Sequence, residues 1–134
     1  AAEFVGRFKI NRKSIPAIAL CSDTAILTSI ANDFSYDMIF ERQCESLIEK
    51  DDIVIGISTS GNSENVKRAL LRAKEIDVMT CVLSGCEGGK IKSLSDIEYI
   101  VPSYETGRIQ EVHIMMGHAL MEAIEDKLLK NGII

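Results

Sequence analysis

Short apolar runs alternate with stretches of helical period along most of the chain. Pro16 leads into Ala17-Ile18-Ala19-Leu20-Cys21, a compact apolar run closed by Ser22-Asp23, which reads as a strand. Asp23 or Thr24 can cap a helix in which Ile26, Leu27 and Ile30 recur at the 3.6-residue period, ending at Ala31-Asn32-Asp33-Phe34. A second helical pattern, from about Ser35 to Lys50, sets Met38, Ile39, Cys44, Leu47 and Ile48 on its inner side. Both helices are expected on one face of a sheet. Ile53 to Ile57 forms the next strand, and it ends abruptly in Ser58-Thr59-Ser60-Gly61-Asn62-Ser63. The helix that follows turns Val66, Ala69, Leu70 and Ala73 inward and Lys67, Arg68, Arg72 and Lys74 outward. Val78 to Leu83 is a further strand, Ser84 to Gly89 its turn, and Ile97 to Val101 a strand before Pro102. A last helix runs from near Arg108 to Lys130.

Strands separated by helices call for right-handed crossovers and a parallel sheet covered on both faces. The expected fold is therefore α/β, a three-layer α/β/α sandwich with a parallel flavodoxin-like sheet. The last helix carries apolar residues on more than one face, among them Ile109, Ile114, Met115, Leu120 and Leu129. That stripe is too wide for packing on a sheet alone and predicts a partner chain. Ala1 to Val5 reads as the last turn of a helix already under way, with no capping residue ahead of it, so residue 1 is expected to be a cut end. Gly6 to Ser14, with Arg7, Lys9, Arg12 and Lys13, reads as a solvated basic loop.

At 134 residues and 46% apolar content the chain is the size of a single domain with one core. A net charge of -5 argues against nucleic-acid and membrane-surface binding, which need a basic face. Any anionic ligand must then be held by local donors. Cys21, Cys44, Cys81 and Cys86 form no CxxC pair, so neither a disulfide framework nor a zinc knuckle is expected, and reduced thiols suit a cytoplasmic protein. No apolar run reaches the roughly 20 residues of a membrane span, and no signal peptide opens the chain.

The loop after Ile57 is where an open α/β sheet binds ligands, beside the N–H groups of the next helix. One cap would account for one hydroxyl, whereas four hydroxyls fall within six residues here and Gly61 admits close backbone approach. Donors of this kind, without a Walker lysine, suit a phosphate monoester that is held rather than transferred.

Ile57-Ser58-Thr59-Ser60-Gly61-Asn62-Ser63, together with Ile30 to Phe34 (IANDF), Ser84 to Lys90 (SGCEGGK) and Arg108 to His113 (RIQEVH), resembles the sugar-isomerase (SIS) family, and within it the sedoheptulose 7-phosphate isomerases. The resemblance runs the length of the chain. It implies one SIS domain over residues 1–134 that lacks the family's N-terminal helix, first strand and Gly-rich NGGS phosphate turn. It also implies a homotetramer with its site at a subunit interface. The implied reaction converts sedoheptulose 7-phosphate to D-glycero-D-manno-heptose 7-phosphate for bacterial cell-surface polysaccharide. Ser58, Thr59, Ser60 and Ser63 match the family's phosphate-binding hydroxyls, and Asn32 and Asp33 the pair that contacts the sugar. Glu3 matches its catalytic glutamate, His118 its catalytic histidine, and Gln110 a glutamine that meets substrate or metal. Zinc is implied at a site using Glu3, Gln110 and His118.

These residue types suit the reaction, because aldose–ketose isomerisation needs one group to move a carbon-bound proton and another to shuttle hydroxyl protons. His113 lies five residues before His118, about 140° around a helix, and is expected to be structural. Gln110 and His118 are eight residues apart, about 12 Å of rise and roughly 80° of rotation. One zinc would reach both only with strained side chains, a helix starting after Gln110, or donors from two subunits, of which the last agrees best with the apolar width of that helix. Two other SIS functions compete with isomerisation: a non-catalytic protein that binds the replication initiator, and a sugar-phosphate-sensing domain. Glu3 and His118 favour the isomerase.

Overall fold

The computed structural model describes residues 1–134. The chain divides into two compact units, residues 20–110 and a discontinuous unit of residues 1–19 with 111–134. The larger unit is an α/β structure. Its helix α2 (Thr24–Asp33), a 3₁₀ turn (Tyr36–Met38) and α3 (Glu41–Leu47) precede strand β1 (Ile53–Ser58). Helix α4 (Glu64–Glu75), β2 (Met79–Gly85), a second 3₁₀ turn (Gly89–Ile91) and β3 (Ile97–Val101) follow. The sheet is parallel throughout, in the order β1-β2-β3. Ile53 pairs with Met79 and Ser58 with Ser84, while Cys81 pairs with Ile97 and Gly85 with Val101.

The pleat sends alternate residues to opposite faces. Leu70 of α4 packs with Val82 of β2 and Ile91, flanked by Val54, Val66 and Leu94. Ala69, Leu70 and Ala73 are buried, as the period of that helix predicts. Gly56 permits this packing, since a Cβ there would lie 3.0 Å from a Val66 methyl and 3.2 Å from the Leu70 methyls. Helix α3 packs beside α4 and is tied to it by Arg68–Glu41 and, at 3.3 Å, Arg72–Glu45. The opposite face of the sheet is open: Ile53, Ile57 and Met79 are 59%, 56% and 50% exposed.

Three local expectations change. Ala17 to Cys21 is not a strand. Strand structure needs a hydrogen-bonded neighbour as well as an apolar run, and this segment joins no ladder and leaves Ile18 69% exposed. The single helix expected from Ser35 to Lys50 is a 3₁₀ turn followed by the shorter α3, which stops where Ile48 turns extended. The Gly6 to Ser14 loop is not simply solvated, because the Arg12 side chain is only 1% exposed.

Asp96, just before β3, clasps β2. Its carboxylate accepts from the Thr80 hydroxyl at 2.7 Å and the Thr80 N–H at 2.8 Å. These two bonds, outweighing burial and aided by Lys74, hold the carboxyl below its usual range. The stabilisation is therefore complete above the unfolded-state pKa of about 3.9 and is lost as pH falls through the lower folded value. Asp96→Asn is expected to flatten the acid limb of the stability curve, measured as urea midpoints between about pH 5 and about pH 2. Equal slopes for the two proteins would show that this carboxyl titrates alike in both states.

The discontinuous unit holds α1 (Ala2–Val5), the segment that follows it, and the part of α5 (Thr106–Lys130) from residue 111 onward. His113 and Met121 are buried, whereas Ile114, Met115, Leu120 and Leu129 are exposed. No helix is long and apolar enough to cross a membrane.

Candidate functional site

The hydroxyl loop occupies the carboxyl end of β1, where the strand delivers Ser58 toward the start of α4. Ser58 is buried, and its Oγ lies 2.9 Å from the Ser63 Oγ. Ser63 stands at the N-cap of α4 but makes no side-chain capping bond, so its hydroxyl faces back into the loop. Ser60 Oγ accepts the Asn62 N–H at 3.2 Å, and the Asn62 side-chain amide donates to the Ser60 carbonyl at 3.1 Å.

A second loop, after β2, locks the first in place. The Asn62 side-chain oxygen accepts the Lys90 N–H at 3.2 Å, and the Ile91 N–H donates to the Gly61 carbonyl at 3.0 Å. Gly61 has φ +67°, and a Cβ on it would fall 1.9 Å from the Gly88 carbonyl oxygen. The two loops are thus joined at the carboxyl end of the sheet, with Thr59 half-buried and Ser60 exposed. Asn62, which the sequence offers only as a possible helix cap, instead bridges to Lys90, a residue to which sequence reasoning assigned no role.

Asn32 and Asp33 end α2 and are both exposed, with the Asn32 amide donating to Asp33 at 3.1 Å. Gln110 is exposed on α5.

In the discontinuous unit, Glu3 sits half-buried on the four-residue α1. His118 is exposed on α5, and its ring stacks on Phe8 with centroids 5.6 Å apart and 19° between the planes. Glu125, two turns further along α5, accepts the Phe8 N–H at 3.1 Å, the Lys9 N–H at 3.0 Å and Arg12 Nε at 2.7 Å. Burial raises the Glu125 pKa, but the Lys9 N–H, Arg12 and the Phe8 N–H together outweigh it and hold the carboxyl below its ordinary value. It is thus ionised at neutral pH. His113, expected to be structural, is buried.

A family model described as the SIS domain matches residues 1–85. The chain is 52% identical over 132 residues to the phosphoheptose isomerase of Aquifex aeolicus, covering 98% of this chain and 69% of that protein. The chain belongs to the SIS family of phosphoheptose isomerases. The Helicobacter pylori strain P12 phosphoheptose isomerase is 54% identical over 125 residues, covering 93% of this chain and 65% of its own length. The chain thus spans about two thirds of the length of these relatives. Among solved structures, a phosphoheptose isomerase from Francisella tularensis superposes with a TM-score of 0.89 at 34% identity, covering 93% of this chain and 67% of that one. The enzyme from Neisseria gonorrhoeae gives 0.79 at 43% identity over 81% of this chain and 61% of that one. The parallel α/β arrangement is that of the SIS fold expected from the motifs, with three of the four expected strands formed.

As donors for zinc, Glu3, Gln110 and His118 offer one carboxylate, one amide and one imidazole. No group of three His, Cys, Asp or Glu side chains in this SIS chain could hold an ion. Zinc takes four ligands, in catalytic sites usually three from protein, and of these residues the carboxylate and the imidazole are ordinary zinc donors.

Proposed function

We propose that the full-length protein is a sugar phosphate isomerase that converts sedoheptulose 7-phosphate to D-glycero-D-manno-heptose 7-phosphate through an enediol. The observation that carries the reading is the hydroxyl loop, whose Ser58 and Ser63 face each other instead of capping α4 and whose backbone is held by the Asn62–Lys90 bridge. Such a seat binds a phosphate through hydroxyl and N–H donors without the lysine that phosphoryl transfer uses. Relatives more than half identical over almost the whole chain support the choice of substrate.

In this reading Ser58, Thr59, Ser60 and Ser63 anchor the phosphate, and Asn32 and Asp33 meet the sugar hydroxyls. Glu3 takes the proton from C1 of the ketose and returns it to C2. His118 gives a proton to the C2 oxygen as the enediol forms and removes one from the C1 oxygen as it collapses to the aldose. A carboxylate and an imidazole can both exchange protons near neutral pH. The exposed apolar residues of α5 suit a homotetramer with the site at a subunit interface, and four free cysteines suit the cytoplasm. Zinc enters only as an ion whose donors are completed from another copy of the chain, and no step is assigned to it.

The test is incubation of the full-length protein with sedoheptulose 7-phosphate and detection of the aldose. Turnover is the expected result. Its absence, with the protein folded, would remove the isomerase reading.

A further inference from the structure

Glu3 lies on a helix of four residues, far below the length at which a helix holds itself together in water. Its position must come from outside the helix, and the structure shows from where. Arg12 Nη2 donates to the Glu3 carbonyl at 2.7 Å and Nη1 to the Phe4 carbonyl at 3.0 Å. These are carbonyls that a helix end leaves without an intrahelical donor. The same guanidinium donates through Nε to Glu125, and both side chains are almost wholly buried, 1% and 3% exposed.

Glu125 also reaches the other proposed proton-transfer group. It stands seven residues beyond His118 on α5, about 20° around the helix and roughly 10 Å along it. By holding the Phe8 and Lys9 N–H groups it fixes the segment from which Phe8 stacks on the His118 ring. One carboxylate thus lies at the junction of two short paths, through Arg12 to Glu3 and through Phe8 to His118.

We propose that Arg12 and Glu125 are positioning residues that set the geometry between Glu3 and His118. This rests on the isomerase reading above for the roles of those two groups. The fork of Arg12 is essential to it, because a lysine presents one point charge and cannot bridge a carboxylate and two carbonyls at once. A pair that only staples the unit would alter melting temperature and leave the folded enzyme's chemistry alone.

The test compares Arg12→Lys and Glu125→Gln in the full-length protein, well below each melting temperature. The expected result is a kcat lowered by about 10- to 100-fold with KM unchanged, as for a misplacement remote from the chemistry. The NMR resonances of the His118 ring are expected to lose the Phe8 ring-current displacement in both variants, as they do in Phe8→Leu. A lowered melting temperature with wild-type kcat overturns the proposal. If Glu125→Gln does not fold, Arg12→Lys, which keeps a charge opposite Glu125, decides alone. If the wild-type protein turns over no sugar phosphate, the isomerase reading fails separately, and unshifted His118 resonances in Arg12→Lys then overturn the positioning role as well.

Discussion

Glu3→Gln is expected to lower kcat for sedoheptulose 7-phosphate by about 10²- to 10⁴-fold, the usual worth of a positioned general base, while phosphate binding survives. The substitution keeps the shape of the side chain and removes its basicity. It leaves the backbone carbonyl that accepts from Arg12 in place, so α1 should stay where it is. The hydroxyl loop belongs to the other compact unit and contains no atom of Glu3. Aldose formation measures the first quantity, and competition by inorganic phosphate against a sugar phosphate probe measures the second. Near wild-type turnover would show that Glu3 moves no proton in the rate-limiting step. A parallel loss of phosphate affinity would mean that the substitution had disturbed the fold rather than the chemistry.

Gly61→Ala is expected to be the most disruptive single substitution in the hydroxyl loop. The left-handed conformation costs an alanine about 1 to 2 kcal/mol. The steric term is larger, because the new Cβ would stand 1.9 Å from the Gly88 carbonyl oxygen, and a backbone atom cannot rotate away as a side chain can. Relief requires the two loops to separate, which breaks the Asn62–Lys90 and Gly61–Ile91 bonds. A total cost of at least about 3 kcal/mol follows, read as a shift in urea midpoint, with phosphate affinity lost in whatever fraction stays folded. Retention of both stability and affinity would mean that the seat does not depend on the contact between the loops.

The parts of the chain that could be read from sequence are those whose determinants lie close together. The β1-α4-β2 stretch announced itself because an apolar strand, a loop and an amphipathic helix follow within about two dozen residues, and Ala69, Leu70 and Ala73 are buried as their period requires. The hydroxyl loop was legible for the same reason. Ala17 to Cys21 misled because composition records an apolar run but not whether a neighbouring strand will accept its hydrogen bonds. Arg12 looked like one more surface cation among Arg7, Lys9 and Lys13, since its partner Glu125 comes 113 residues later. Asn62 gave no warning of its bridge because the group it binds is a backbone N–H, which carries no residue signature.

The separation of Arg12 from Glu125 bears on the order in which the molecule comes together. Residues 20–110 form one unbroken unit whose strands are joined by nearby crossovers, whereas the other unit is assembled from both ends of the chain. Joining two points 113 residues apart in a disordered chain costs roughly 4 kcal/mol of closure entropy, before any contact repays it. Prior folding of the continuous unit shortens the gap that remains to be closed. The short helix bearing Glu3 is then among the last pieces to take its place, and among the first to leave it when the native state opens.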